Sequence, residues 1–388
     1  MTVFARALQL RYVAGGNPGR KVTWLELFFD LVFVAAVAQV GEPLREDLSA
    51  AGVMRFTVLF VLIWWAWIGG SVFATRFDTD DGLQRLLTLV QMFAVAVMAA
   101  NADEALGSRS SAGFAAAYAV VRFVLVAQYA RARYIAPARE LATRYMVGHG
   151  VAAAIWLVSA VLDPPFRFVV WGIALAIDLG TPWLAVPHSV AVPPDAAHLP
   201  ERFGLFTLIL LGESVVAVMH GMKGQEHWSV AAATAALLGM GTAFVLWWWY
   251  FDAAAATADR HIRSHRDAVR FHLWSYAHLP LYVGIAVTFA GIERIVHEGA
   301  ADALHGTDLL MLGLALTVMM WALATIAACR AESRPQSMRM VWHIGLAAVP
   351  AAVAPIFIEV SGVVVVIGMM LVCLAQLTVA VGDQPTPG

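Results

Sequence analysis

Apolar residues along this chain run in stretches of roughly 18–22 residues, the length a helix needs to cross about 30 Å of hydrocarbon. Short clusters of charge, proline and glycine separate them. The pattern predicts helices over 23–40, 53–73, 83–101, 112–130, 145–162, 166–185, 203–220, 230–251, 271–291, 307–328, 338–358 and 360–381. The fifth and sixth are parted only by Asp163-Pro164-Pro165, and the last two only near Glu359 and Ser361. Re-entrant segments at those places would lower the count. The expected fold class is an all-α polytopic membrane protein of about twelve transmembrane helices.

Composition points the same way. Of 388 residues, 61% are apolar and 13% charged, with a mean hydropathy of +0.73. A soluble domain carries about 25% charge. The net charge of −2 supplies no global field that would draw the chain to nucleic acid. The first apolar run carries Glu26 and Asp30 and continues into a multi-span pattern, unlike a cleaved signal peptide. Cys329 and Cys373 lie inside apolar stretches and read as small hydrophobes.

Cytoplasmic loops are enriched in Lys and Arg. With the N-terminus inside, the large majority of the 25 Lys and Arg residues fall on cytoplasmic segments. Twelve spans with both termini in the cytoplasm is the expected topology. The segments are then 1–22, a first six-helix unit over 23–185, a linker over 186–202, a second unit over 203–381 and a tail over 382–388.

The two halves echo one another. Glu26-Leu27-Phe28-Phe29 opens the first span and Glu201-Arg202-Phe203-Gly204 the seventh. Trp64-Trp65-Ala66-Trp67 has its counterpart in Trp247-Trp248-Trp249-Tyr250, and Arg144 to His149 in Arg339 to His343. Chance similarity among apolar helices is the alternative. Six helices per unit give both halves the same orientation, so the repeats are parallel, about an axis along the membrane normal.

The segment Thr23-Trp-Leu-Glu-Leu-Phe-Phe-Asp-Leu-Val-Phe-Val34 resembles the opening signature of the bacterial low temperature requirement A (LtrA) family. Glu201-Arg-Phe-Gly-Leu-Phe-Thr-Leu-Ile-Leu-Leu-Gly-Glu-Ser214 and Trp65-Ala-Trp67 followed by Arg76-Phe-Asp-Thr-Asp-Asp81 resemble it too. The resemblance implies a bacterial inner-membrane protein linked to growth in the cold. It brings no catalytic residue set with it.

Ionisable groups inside a bilayer are costly unless paired or hydrated, so each is a candidate for function. Glu26 and Asp30, four apart, share one helix face and call for a protonated member or a cationic partner. Arg122 is the expected partner, because it and Asp30 both lie roughly 12 Å from the cytoplasmic edge at 1.5 Å per residue. Glu213 lies near mid-membrane, and Asp178 lies closer to the cytoplasmic edge. These five form the primary candidates, each with a structural alternative: Glu26 favoured by a helix N-terminus, Asp30–Arg122 as a helix lock, and Glu213 or Asp178 as neutral hydrogen-bonded acids.

His149, His278, His343, Asp78, Asp81 and Asp252 form a second tier. For the histidines a satisfied polar side chain is the bland reading. For Asp78-Thr-Asp-Asp81 the choice is between an Mg²⁺-binding cluster and helix capping on a solvated loop. His261 and His265 are spaced four apart but lack the His-Glu-x-x-His pattern, so no metal or other cofactor is expected. No Walker A loop, GxSxG or Rossmann fingerprint is present.

The reading is a secondary transporter or lipid-handling permease with a proton-titratable site of Asp30, Arg122 and Glu213, modulated by Glu26. Membrane lipids and a small-molecule or lipid substrate are the expected partners. An intramembrane enzyme acting on a lipid or isoprenoid, and a non-catalytic scaffold or sensor, stay open beside it.

Overall fold

In the computed structural model the described residues are 8–11, 22–78, 81–107, 110–195, 198–223, 229–254, 262, 264–304, 306–329 and 359–382. The helices are α1 (Trp24–Glu46), α2 (Ala50–Arg76), α3 (Gly82–Ala100), α4 (Ser111–Ala132), α5 (Arg139–Ser159) and α6 (Phe166–Ala185). They continue as α7 (His198–Lys223), α8 (Val230–Trp248), α9 (His265–Glu298), α10 (Gly306–Ala328) and α11 (Gly362–Gly382). Among the described residues ten helices are long and apolar enough to cross a membrane, and α11 contains a shorter apolar stretch over Gly362–Thr378. The predicted span over 338–358 lies outside the described residues, as does His343.

Local chemistry sets several helix starts. Thr23 and Glu26 form a reciprocal capping box at α1: Thr23 Oγ1 accepts from the Glu26 N–H at 3.3 Å, and Glu26 Oε2 accepts from the Thr23 N–H at 2.8 Å. Asp81 caps α3 by accepting from the Gln84 N–H at 2.8 Å, and Ser229 caps α8 through the Ala232 N–H at 3.0 Å. Past Trp248, α8 widens into a π-helical turn over Trp249–Ala254.

Three helices begin five or six residues earlier than hydropathy predicts. α5 starts at Arg139, α7 at His198 and α9 at His265, so each carries charged residues in its first turns. Hydropathy places a boundary where apolar residues begin. α7 continues past that point because His198 and Arg202 find buried protein partners, whereas the first charged residues of α5 and α9, Arg139, Glu140, His265 and Arg266, are exposed.

The chain forms two compact units. One comprises residues 1–40, 58–203 and 259–271, the other residues 41–57, 204–258 and 272–388. In the first, α3 packs on α4, α4 on α5 and α5 on α6. A short antiparallel pair, β1 (Gln9–Leu10) with β2 (Phe77–Asp78), ties the N-terminal segment to the end of α2. Beneath it Phe73, Phe77, Tyr129 and Tyr145 stack into one buried cluster. In the second unit α8 packs on α11, and Ala303 bridges Ser361 ahead of it.

The radial distribution of polarity is inverted relative to a soluble protein. Phe93 is 70% exposed and Val169 61%, whereas Asp30, Arg122 and Asp178 are all at 0%. Large apolar side chains face outward and full charges lie inside, as a hydrocarbon surrounding requires.

Candidate functional site

Among the described residues of the first unit, two Arg–Asp pairs are fully buried, each within a cluster. The first gathers around Asp30. Arg202, at the start of α7, forks onto its carboxylate, with Nη2 on Oδ1 and Nε donating to Oδ2 at 3.3 Å. The Trp67 indole N–H of α2 donates to Oδ1 at 2.7 Å. The Arg202 guanidinium also lies over the Phe29 and Trp67 rings at 5.5 and 5.8 Å, a placement that offsets part of its desolvation.

One turn earlier, Glu26 Oε1 accepts from Arg11 Nη2 at 3.3 Å and meets His198 Nε2 at 3.1 Å. The like charges of Glu26 and Asp30 are therefore separated by cationic partners, as their spacing demands. The partner is not the expected one: Asp30 pairs with Arg202 rather than Arg122. The reason is the early start of α7, which converts Arg202 from a loop residue into a helical one four positions after His198.

Arg122 belongs to the second cluster. Its Nε lies 2.7 Å from Asp178 Oδ2, and its Nη2 donates to the Tyr118 hydroxyl at 2.5 Å. Tyr118 donates in turn to Asp178 Oδ2 at 3.2 Å, while His149 Nδ1 sits 2.6 Å from Oδ1. These side chains are sealed, at most 3% exposed. The cluster ties α4, α5 and α6 together with every charge opposed, the arrangement of a helix lock.

Beside the first cluster lies a cavity of about 750 Å³. Its apolar wall comes from Leu25, Phe28, Phe29 and Phe77, and its polar lining from Glu26, Arg11, Arg85 and Arg202 together with Gln84, Thr88, Gln91 and Gln128. Gln84, Thr88 and Gln91 follow an i, i+4, i+7 pattern on α3 and are buried, so one face of an otherwise apolar helix presents polar groups. Gly70 of α2 also lines it: a Cβ there would stand 2.9 Å from the Phe29 ring and 3.3 Å from Gln91 Nε2.

None of the remaining described candidates is among the residues that line this cavity. Glu213 belongs to the second unit and is half-buried on α7. His278, also there, sits in an aromatic box: Nδ1 lies 2.8 Å from the Trp274 carbonyl and Nε2 3.0 Å from the Tyr250 hydroxyl, so both ring nitrogens are occupied. Asp81 caps α3 and pairs with Arg131 at 2.6 Å, the capping alternative. Asp78 lies on β2 and Asp252 in the π-helical turn. His265 is exposed at the start of α9, and His261 lies outside the described residues. Among the described residues no three His, Cys, Asp or Glu side chains converge as a metal site requires.

Sequence reading missed Arg202, His198, Arg11, Tyr118 and the glutamines. The i, i+4 pairs Tyr118–Arg122 and His198–Arg202, and the polar stripe on α3, were the available signals. A family model described as bacterial low temperature requirement A protein (LtrA) matches residues 21–375. A protein of Rhizobium meliloti (strain 1021), described as uncharacterized, is 30% identical over 287 residues, covering 70% of this chain and 68% of its own length. No solved structure matches the chain.

Proposed function

The chain belongs to the bacterial low temperature requirement A family, and on that premise we propose that it is a secondary transporter or lipid-handling permease of the cytoplasmic membrane. The observation that carries this reading is the cavity beside the Asp30–Arg202 pair. Its volume falls within the range of about 300–1,000 Å³ typical of small-molecule sites, and one wall is apolar while the other is charged. A filled core with every charge sealed, as at Asp178, would support a scaffold. This site instead borders open volume.

The Asp30–Arg202 pair supplies a means of proton coupling. A proton delivered to Asp30 removes the charge that holds Arg202, and a released guanidinium can turn to a substrate in the adjoining cavity. Glu26, held by Arg11 and His198, modulates the same field. Glu213 is the corresponding titratable candidate of the second unit.

The test uses purified protein in vesicles that enclose a pH-sensitive dye, under an imposed pH gradient. A panel of amphipathic organic solutes is added from outside. The expected result is proton movement that depends on one class of solute and is lost in Asp30→Asn with folding preserved. Absence of solute-dependent proton movement across the whole panel would remove the proton-coupled carrier reading.

A further inference from the structure

Resting on the reading of this cavity as the substrate site, we infer that Arg11, Gln91 and Gln128 bind the head of its ligand. That head both accepts and donates hydrogen bonds, as a carboxamide does, and is carried on an apolar body. Buried polar groups without partners are rare in native proteins, and each one needs an explanation. Three residues that line this cavity carry such groups. Gln91 is 1% exposed and its Nε2 has no hydrogen-bond partner among the described residues; Gln128 is 2% exposed and its Oε1 has none there. The Arg11 side chain is 7% exposed. It spends Nη2 on Glu26, whereas its Nε and Nη1 are buried and unpartnered among the described residues. The rest of the polar stripe on α3 is spent within the protein: Gln84 Oε1 accepts from Arg131 Nη1 at 3.5 Å, and Thr88 donates to the Gln84 carbonyl at 2.9 Å. Gln91 Nε2, one turn further along, is left over.

The character of the head follows from what these groups can form. A guanidinium only donates, so Arg11 calls for an acceptor. Gln91 Nε2 calls for a second acceptor, and Gln128 Oε1 for a donor. A carboxamide exchanges oxygen and nitrogen on a flip. With Gln91 flipped, or both glutamines, the ligand must still supply a donor beside the acceptor for Arg11. Only Gln128 flipped by itself would ask for acceptors throughout. A head with both functions satisfies all three residues. An analogue that lacks one leaves a buried group of the site unpaired, and a site built this way discriminates strongly against it. Leu25, Phe28, Phe29 and Phe77 line the same cavity and would cover the apolar body. A free amphipathic amide and a lipid with a hydroxyl-bearing headgroup share this chemistry.

Isothermal titration of the full-length protein in phosphatidylcholine nanodiscs, whose headgroups carry no hydrogen-bond donor, separates the outcomes. The probes share one body: 4-phenylbutanamide accepts and donates, 4-phenylbutanenitrile only accepts, and (4-phenylbutyl)trimethylammonium does neither. The expected result is saturable binding of the amide, about tenfold or more tighter than that of either other probe. Gln91→Leu and Gln128→Leu should each weaken it about threefold or more. A purely structural glutamine would lower Tm when replaced by leucine; here Tm should hold or rise, because the empty protein loses an unsatisfied amide.

Repeating the titration in phosphatidylglycerol nanodiscs, whose glycerol headgroups accept and donate, distinguishes the sources. Loss of amide binding assigns the site to a lipid headgroup, and retention assigns it to a free solute. A smaller preference for the amide over either probe, or a smaller loss in either variant, would overturn the inference. Amide binding without vesicle flux would leave it standing and remove the carrier reading. Coupled flux of a solute that lacks a donor or an acceptor, blocked by substitutions in this cavity, would do the reverse.

Discussion

Replacing Asp30 with alanine strands the Arg202 guanidinium among the Phe29 and Trp67 rings. Breaking a buried pair from one side costs about 3–5 kcal/mol, most of it the penalty of the unpaired charge. Asp30→Ala and Arg202→Leu should each lose that much in unfolding assays in bicelles, and the double variant should recover a large part. Asp30→Ala with Arg122→Leu should be additive within about 0.5 kcal/mol, because the two residues belong to separate clusters. Strong coupling between Asp30 and Arg122 would contradict the pairing described above. Glu213 is a separate question. If it carries a coupled proton, Glu213→Gln preserves folding and abolishes the pH dependence of vesicle flux, and an unchanged pH profile would exclude it.

Elements meet closely where small residues allow it. At Gly148 of α5, an added Cβ would lie 2.2 Å from Thr181 Oγ1 and 2.9 Å from Thr181 Cβ on α6. Gly148→Ala should therefore cost about 1–3 kcal/mol by overpacking, and Thr181→Ala should relieve most of it in a thermal unfolding series. Between α1 and α2 the turn carries a pH dependence of its own. The Ser49 hydroxyl and backbone N–H both bond to Asp47 and hold its pKa below the usual carboxylate range. A depressed folded pKa stabilises the turn above the ordinary carboxylate value, and that contribution is lost as pH falls through the folded value. Amide protection at Ser49 should decline with acidification in the wild type, and Asp47→Asn should flatten this acid dependence. An identical acid profile in the two proteins would show that the contact contributes nothing.

Across the whole molecule we propose that the charge pattern sets topology, with both termini in the cytoplasm. Reporter fusions after Asp47, Gly107 and Gly224 should read outside, and those after Ala136 and His265 inside, since Lys and Arg concentrate on the loops thereby assigned to the cytoplasm. Two reversals would break the alternation on which both cytoplasmic termini depend. Parallel six-helix repeats are part of the same proposal.

What the sequence determined by itself is the membrane class and the position of most helices, because hydrocarbon thickness imposes a length and an apolarity that can be read locally. It also showed which ionisable residues lie within apolar stretches, Asp30, Arg122, Asp178 and Glu213 among them, because each interrupts such a run. Partnership was decided only by tertiary structure. Equal depth made Arg122 plausible for Asp30, but depth fixes one coordinate, and the angular positions of α1, α4, α6 and α7 fix the others. Arg202 entered the site because α7 begins at His198, a start that hydropathy does not register when polar side chains find protein partners. The cavity depends on the same information: its glutamines lie on α3 and α4 and its arginines on the N-terminal segment, α3 and α7, brought together by packing rather than by proximity in the chain.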